Sequence, residues 1–316
     1  MNFYKYFFKK LGLTLLGIFL VISFFYIIIA PFINNPSFNK HSVIANYFKF
    51  LGSIFTNFGQ VYSASSFSNA LNYFFYYFKY SLLFEGITFL LTILLGYALG
   101  IFLAYKNGKW SEITINLFIF IFASVPVIII APLMLILAEF TDLPVNFITA
   151  DVINSSYMML SLLLPISILL LATISFFAIL VKNAMLKILS QEFILALKTC
   201  GQSKWNIFIK GIFKNLIIDT INKLISVLII IISFSIILER IFQIPGQSLI
   251  LISALSNGEI NVIMCLIFYK AFIIFTLSFG AEISYDVMNV NNHLSFDYKI
   301  SFVRRHKLFK AEKEVK

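Results

Sequence analysis

Stretches of about twenty residues without a charge recur along this chain, and few folds accommodate them. Residues 11–39 carry no charge, and their apolar part covers 11–33. Charge-free runs follow at 86–105, 113–138 and 152–181. A fifth apolar stretch covers 216–238, with Asp219 and Lys223 in its first turns, and a sixth covers 260–283, interrupted by Lys270. At 1.5 Å rise, about 20 helical residues cross a hydrocarbon core about 30 Å thick. In lipid, backbone groups must be satisfied within their own segment, so such runs read as helices. The expected fold is therefore all-α and polytopic, with six transmembrane helices.

Composition agrees. Residues of the AVILMFWYC set make up 60% of the 316 and charged residues 12%, against usual shares of about 45–50% and 25%. No soluble globule has an interior large enough to hide that excess. A cytosolic enzyme, a secreted domain and a disordered tail are excluded. The net charge of +10 would point to nucleic acid in a soluble protein. Here the basic clusters alternate with apolar runs, which is the pattern that orients a membrane protein. Two cysteines, Cys200 and Cys265, form neither a disulfide framework nor a metal-ligand spacing.

The distribution of Lys and Arg predicts that both termini lie in the cytoplasm. On that side fall Lys5, Lys9 and Lys10, then Lys106 and Lys109, then seven lysines from Lys182 to Lys223, and the basic tail. The other side keeps Lys40, Lys49, Lys79 and Arg240. The apolar stretch after Lys10 is too long for a signal peptide, and no small-residue cleavage site follows, so it reads as a retained anchor. The organisation expected is an N-terminus and first span at 1–33, an external loop at 34–79, a five-span core at 80–286, and a basic cytoplasmic tail at 287–316.

The loop 182–222, between spans four and five, is basic and patterned. Its first part continues the fourth span as an amphipathic helix. Gly201 suits the left-handed turn that ends a helix. Ser203 suits the cap of the next, whose apolar residues Trp205, Ile207, Phe208, Ile212 and Phe213 are expected to face inward. Pattern alone leaves two readings open: a helix lying on lipid headgroups, or a helix inserted into a groove on a soluble partner.

Ionisable residues in the spans are costly in lipid. Lys270 has no acid one turn away in sequence. It reads either as a pore-facing cation for a peptide carboxylate or, preferred here, as a residue that pairs with a partner subunit or snorkels. Glu239 reads as a local partner of Arg240 or a contact at the outer gate. Asp219 and Lys223 are four apart and expected to pair. Glu282 and Asp286, also four apart, require a partner from outside their helix. Pro126, Pro132 and Pro165 are expected to kink their helices.

Residues Met185, Leu186, Leu189, Gln191, Glu192, Phe193, Ile194, Lys198 and Gly201 stand at the positions of a loop signature. That signature belongs to permease subunits of ABC importers, and the loop most resembles the oligopeptide/dipeptide branch. Lys214 and Asn215 echo a later basic–Asn pair. The resemblance continues over nearly the whole chain: "ISFFYIIIAP" (22–31), "NFGQVYS" (57–63), "SVP" (124–126), "DLPV" (142–145), "LLP" (163–165) and "ILERIFQIPGQSLILISALSNGE" (237–259). In the last, Glu239, Ile244, Pro245, Gly246, Leu249, Ala254 and Asn257 match. Departures include Leu195, Ala196, Leu197, Cys200, Ser248 and Gly258-Glu259.

The resemblance implies half of a translocation pore in a bacterial plasma membrane. A homologous second permease would supply the other half, two cytoplasmic ATP-binding subunits would use ATP and Mg, and an external binding protein would deliver peptide. It further implies a coupling helix over about 193–208. Docking candidates are Phe193, Ala196, Lys198, Gly201, Ser203, Lys204 and Trp205. Candidates for the gate or substrate path are Glu239, Pro245, Gly246, Asn257 and Lys270. The chain has no phosphate loop, since "GQSK" (201–204) lacks the second glycine and its spacing. No hydrolase motif is present either, so the chain is expected to be a non-catalytic subunit that binds no cofactor directly. A secondary transporter would carry internal repeats and a coupling-ion site, and neither is evident. A structural membrane protein without an ATPase partner is the remaining alternative. Oligopeptides, dipeptides, nickel complexes and some sugars fall within the family's range. The tail "KISFVRRHKLFKAEKEVK" is suited to anionic headgroups or a partner.

Overall fold

A computed structural model describes residues 3–33, 42–62, 67–141 and 143–288. The tail beyond residue 288 and the three histidines lie outside the described residues. Helix α1 (Phe3–Ile29) ends in a 3-10 turn at Ala30–Phe32, where Pro31 stops it. Helix α2 (Val43–Ser53) starts at Ser42, whose hydroxyl accepts from Ala45 N at 3.3 Å. Helix α3 (Ala70–Tyr105) starts at Asn69 and runs 36 residues, about 54 Å at the standard rise. It therefore begins inside the stretch assigned to the external loop.

The third apolar run forms two helices, α4 (Trp110–Ser124) and α5 (Val127–Glu139), bent by 98° at Val125–Pro126. Pro126, with no N–H to donate, caps α5 at the break. Pro132 and Pro165 stay within continuous helices. Helix α6 (Ser155–Leu189) is capped by Asn154 and carries the fourth span into the next loop. There follow α7 (Glu192–Thr199), α8 (Lys204–Ile207), a π-helical turn at Phe208–Phe213 and α9 (Lys214–Thr220). Helix α10 (Lys223–Ile241), the short α11 (Gln247–Ser256) and α12 (Ile260–Met288) complete the bundle.

Among the described residues, α1, α3, α6, α10 and α12 are long and apolar enough to cross a membrane, and the bent α4–α5 pair makes a sixth span when counted as one. The expected all-helical polytopic class holds, with five or six spans according to how that pair is counted.

Two buried clusters hold the bundle. One joins α3, α5, α6, the 192–220 helices and α10 around Phe177, Met185, Ile194 and Ile231. The other joins α1, α2, α3, α11 and α12 around Tyr26, Phe74, Ile250 and Cys265. Thr92 and Thr173 bond at 2.8 Å between α3 and α6. Helix α2 folds back along α1, with Tyr47 Oη 2.7 Å from Ser23 Oγ and the Phe50 ring stacked on Tyr26.

The segment after α2 closes over the α11–α12 turn. Tyr62 N donates to Glu259 Oε1 at 2.7 Å, and Asn261 Nδ2 to Gln60 O at 3.0 Å. At the opposite end of α12, Lys10 of α1 reaches Glu282 at 2.6 Å and Asp286 at 3.2 Å, while the Tyr6 hydroxyl donates to Asp286. The outside partner required by those two acids is thus α1.

Asp219 does not use Lys223. Its carboxylate lies 4.0 Å from Lys187. The helix breaks at residues 221–222, and an i, i+4 pair needs an unbroken helix.

Candidate functional site

The loop after α6 is a compact helical unit. Helix α7 ends at Gly201, whose φ of +70° is the left-handed conformation that glycine adopts without a Cβ clash. Gln202 N bonds back to Leu197 O at 3.3 Å, closing the helix end. Ser203 then caps α8, its hydroxyl accepting from Asn206 N. The expected helix–glycine turn–helix is present, and it divides the 193–208 segment into α7 and α8.

Ile194, Ile207 and Ile212 are buried beneath this unit. Phe193, Ala196, Lys198, Gly201, Ser203, Lys204 and Trp205 are all exposed. Trp205 corrects the inward placement expected of it. It is 69% exposed and stacks on Phe208 with ring centroids 6.0 Å apart. Two residues along a helix rotate the side chain by about 200°, so burial of Ile207 turns Trp205 outward. Phe213 is exposed as well. Beside the unit lies a groove of about 410 Å³ whose wall includes Lys187, Gln191, Phe193, Lys214, Asp219 and Tyr285.

A second contact ties the C-terminal part of α6 to α4. Lys182 pairs with Glu112, which also accepts from Gly108 N at 2.6 Å and Asn116 Nδ2 at 3.0 Å. Sequence reading placed Lys182 in the loop and gave Glu112 no role, because the two are 70 residues apart.

The gate candidates gather around the start of α11. Lys270 Nζ lies 2.7 and 2.8 Å from the two oxygens of Glu85. This overturns the preference for a partner-subunit contact or snorkelling. The amine also sits over the Phe78 ring, 4.9 Å from its centroid. Glu85 lies well inside α3 and is 5% exposed. Its Oε1 further accepts from Ser235 Oγ at 2.6 Å and Gln247 Nε2 at 2.7 Å.

Glu239 is fully buried and turned away from Arg240, with Oε2 accepting from Ser248 N at 2.8 Å. This bond takes the place of the expected local pairing with Arg240. Gln247 N donates to Ser81 Oγ at 2.6 Å. Gly246 sits in the closest part of the cluster: a Cβ there would approach Glu239 Oε1 to 2.8 Å and collide with Ser81 Oγ. Pro245 is half-buried in the same turn. Asn257 stands apart, exposed at the far end of α11, where it borders a small cavity of about 30 Å³ with Tyr73, Ser253 and Glu259.

Sequence reading missed Glu85, Ser235, Gln247 and Ser81. A span drawn from residue 70 would have placed Glu85 in its interior and marked it as a buried acid in need of a cation.

Residues 96–290 match the family described as binding-protein-dependent transport system inner membrane component. The chain is 25% identical over 293 residues to the oligopeptide transport system permease protein OppB of Mycoplasma genitalium, covering 83% of this chain and 70% of that protein. It is 23% identical over 220 residues to a putative peptide transport system permease protein of Brucella suis, covering 66% and 67%. A shorter match, 24% over 128 residues, links it to the dipeptide transport system permease protein DppB of Bacillus subtilis, covering 40% and 42%.

Proposed function

Because the chain belongs to the family of binding-protein-dependent transport system inner membrane components, we propose that it is the permease subunit of an ATP-driven importer of oligopeptides or dipeptides. It is a multi-pass protein of the bacterial cell membrane. In this reading both termini face the cytoplasm, a second homologous permease completes the pore, two ATP-binding subunits grip the 192–213 unit, and an external binding protein delivers the peptide.

The observation that carries the reading is the exposed surface from Phe193 to Trp205, presented on a buried base of Ile194, Ile207 and Ile212. An exposed Trp205 ring stacked on half-buried Phe208, in a segment that also exposes Lys198 and Lys204, suits a groove on a partner better than water. The base is continuous with the core of α6 and α10, and Lys182–Glu112 extends it to α4. A rigid-body push on the unit therefore reaches three membrane elements through packed contacts. The peptide substrate is supported by the names of the similar permeases.

The test is uptake of labelled peptides by vesicles that contain the full assembly. Uptake is expected with ATP and absent without it. Equal uptake in both conditions refutes an ATP-driven importer. Docking is tested by copurification of the ATPase subunits, expected to be lost when Gly201 and Trp205 are replaced.

A further inference from the structure

Helix α11 is ten residues long, about 15 Å, too short to cross a bilayer. Its N-terminus is embedded among α3, α10 and α12, where the first backbone N–H groups of a helix have no intrahelical acceptor. Two of them are satisfied from other elements: Gln247 N by Ser81 of α3 and Ser248 N by Glu239 of α10. The positive end of the α11 dipole therefore faces two buried carboxylates, Glu85 and Glu239. Lys270 of α12 is the cation that meets this cluster, and Gln247 bonds both Glu85 and Ser235 within it.

On the importer reading above, we propose that Lys270 and Glu85 are a positioning pair that latches α11 into the bundle. By holding this short helix at the end of α10 away from the 192–213 unit, the pair couples ATP turnover to peptide movement. The chemistry is specific. A buried acid and amine bonded through both carboxylate oxygens fix the relative rotation of α3 and α12. Gln247 makes α11 the third body held by that contact. Removing the amine leaves the buried Glu85 carboxylate without its cation, and removing the acid leaves a buried ammonium; either change is more disruptive than neutralising both, which loses the bond but leaves no unpaired charge. Acting through α11, the pair is a positioning element.

The experiment uses the purified full assembly carrying Cys200→Ser, which leaves buried Cys265 as the native thiol. Cys265 packs in one cluster with Ile250 and Ala254 of α11, so its reaction with N-ethylmaleimide reports loosening of that helix. In Lys270→Met and in Glu85→Gln, the thiol is expected to react about tenfold faster than in the parent. Peptide moved per ATP hydrolysed is expected to fall by a similar factor while hydrolysis continues. In the double variant Lys270→Met/Glu85→Gln, which has neither the unpaired charge nor the bond, both quantities are expected to lie between those of the single variants and the parent.

Parent-like labelling of both single variants overturns the latch. So does a double variant that labels as fast as the single ones or as slowly as the parent. If the single variants fail to assemble, recovery of assembly in the double variant supports the pairing, and its failure to assemble overturns it. If the labelling pattern holds but the parent moves no peptide with ATP, the latch stands and the importer reading falls.

Discussion

Lys270 and Glu85, 185 positions apart in sequence, meet through both carboxylate oxygens at 2.7 and 2.8 Å. Neither residue has its partner on its own helix, and the amine is 13% and the carboxylate 6% exposed. The contact sets where α3 and α12 cross, and the start of α11 is built onto it through Gln247.

Gly246→Ala tests how tightly that start is packed. The added methyl would approach Glu239 Oε1 to 2.8 Å and collide with Ser81. Overpacking of this kind costs about 1–3 kcal/mol. A lowered melting temperature in detergent is the expected result. Parent-like stability would mean that α11 sits further from α3 and α10 than described.

Trp205→Ala separates docking from folding. The side chain is exposed, so stability should stay within about 0.5 kcal/mol of the parent. If the ring fills a groove on an ATPase subunit, its loss weakens association by about 2 kcal/mol, roughly 30-fold. Binding measured by titration of purified ATPase subunits distinguishes this from a ring that rests on lipid, for which association would be unchanged.

Cys200 offers a topology test without engineering. It is exposed in the 192–213 unit, while Cys265 is buried. With both termini in the cytoplasm, a membrane-impermeant maleimide should label Cys200 in inside-out vesicles and leave it unlabelled in intact cells. Labelling in intact cells would reverse the orientation.

Glu112 and Lys182 should act as a unit. Each is nearly buried, and Glu112 also accepts from Gly108 N and Asn116. Glu112→Gln or Lys182→Met alone is expected to lower the melting temperature in detergent through the polar group left unmatched. The two changes together should be less than additive in a double-mutant cycle. Full additivity would show that the two side chains act independently.

The unit around Gly201 was legible because its signals are local. A glycine that takes φ of +70°, a serine that caps the next helix and an apolar run at helical spacing all act within a few residues. The facing of Trp205 was not legible in the same way. It depended on whether Trp205 or Ile207 met the core, and periodicity through a short segment with a π-helical turn leaves that choice open. The bend at Pro126 was anticipated as a kink, but its size of 98° follows from how α4 and α5 each pack on α6.

Taken alone, the amino-acid order determined the helical class, the positions of the apolar runs that become spans and the place of the basic unit between the fourth and fifth. Helix formation and transfer into lipid depend on contiguous stretches of chain, and length, charge and periodicity are properties of such stretches. Only the tertiary structure decided which charges meet. Asp219 turned from its neighbour Lys223 to Lys187, Glu282 and Asp286 found Lys10 on α1, and Lys270 found Glu85. Pairing energy falls off within a few ångströms, while the rotation and depth that bring two helices within that distance are set by packing summed over many distant side chains.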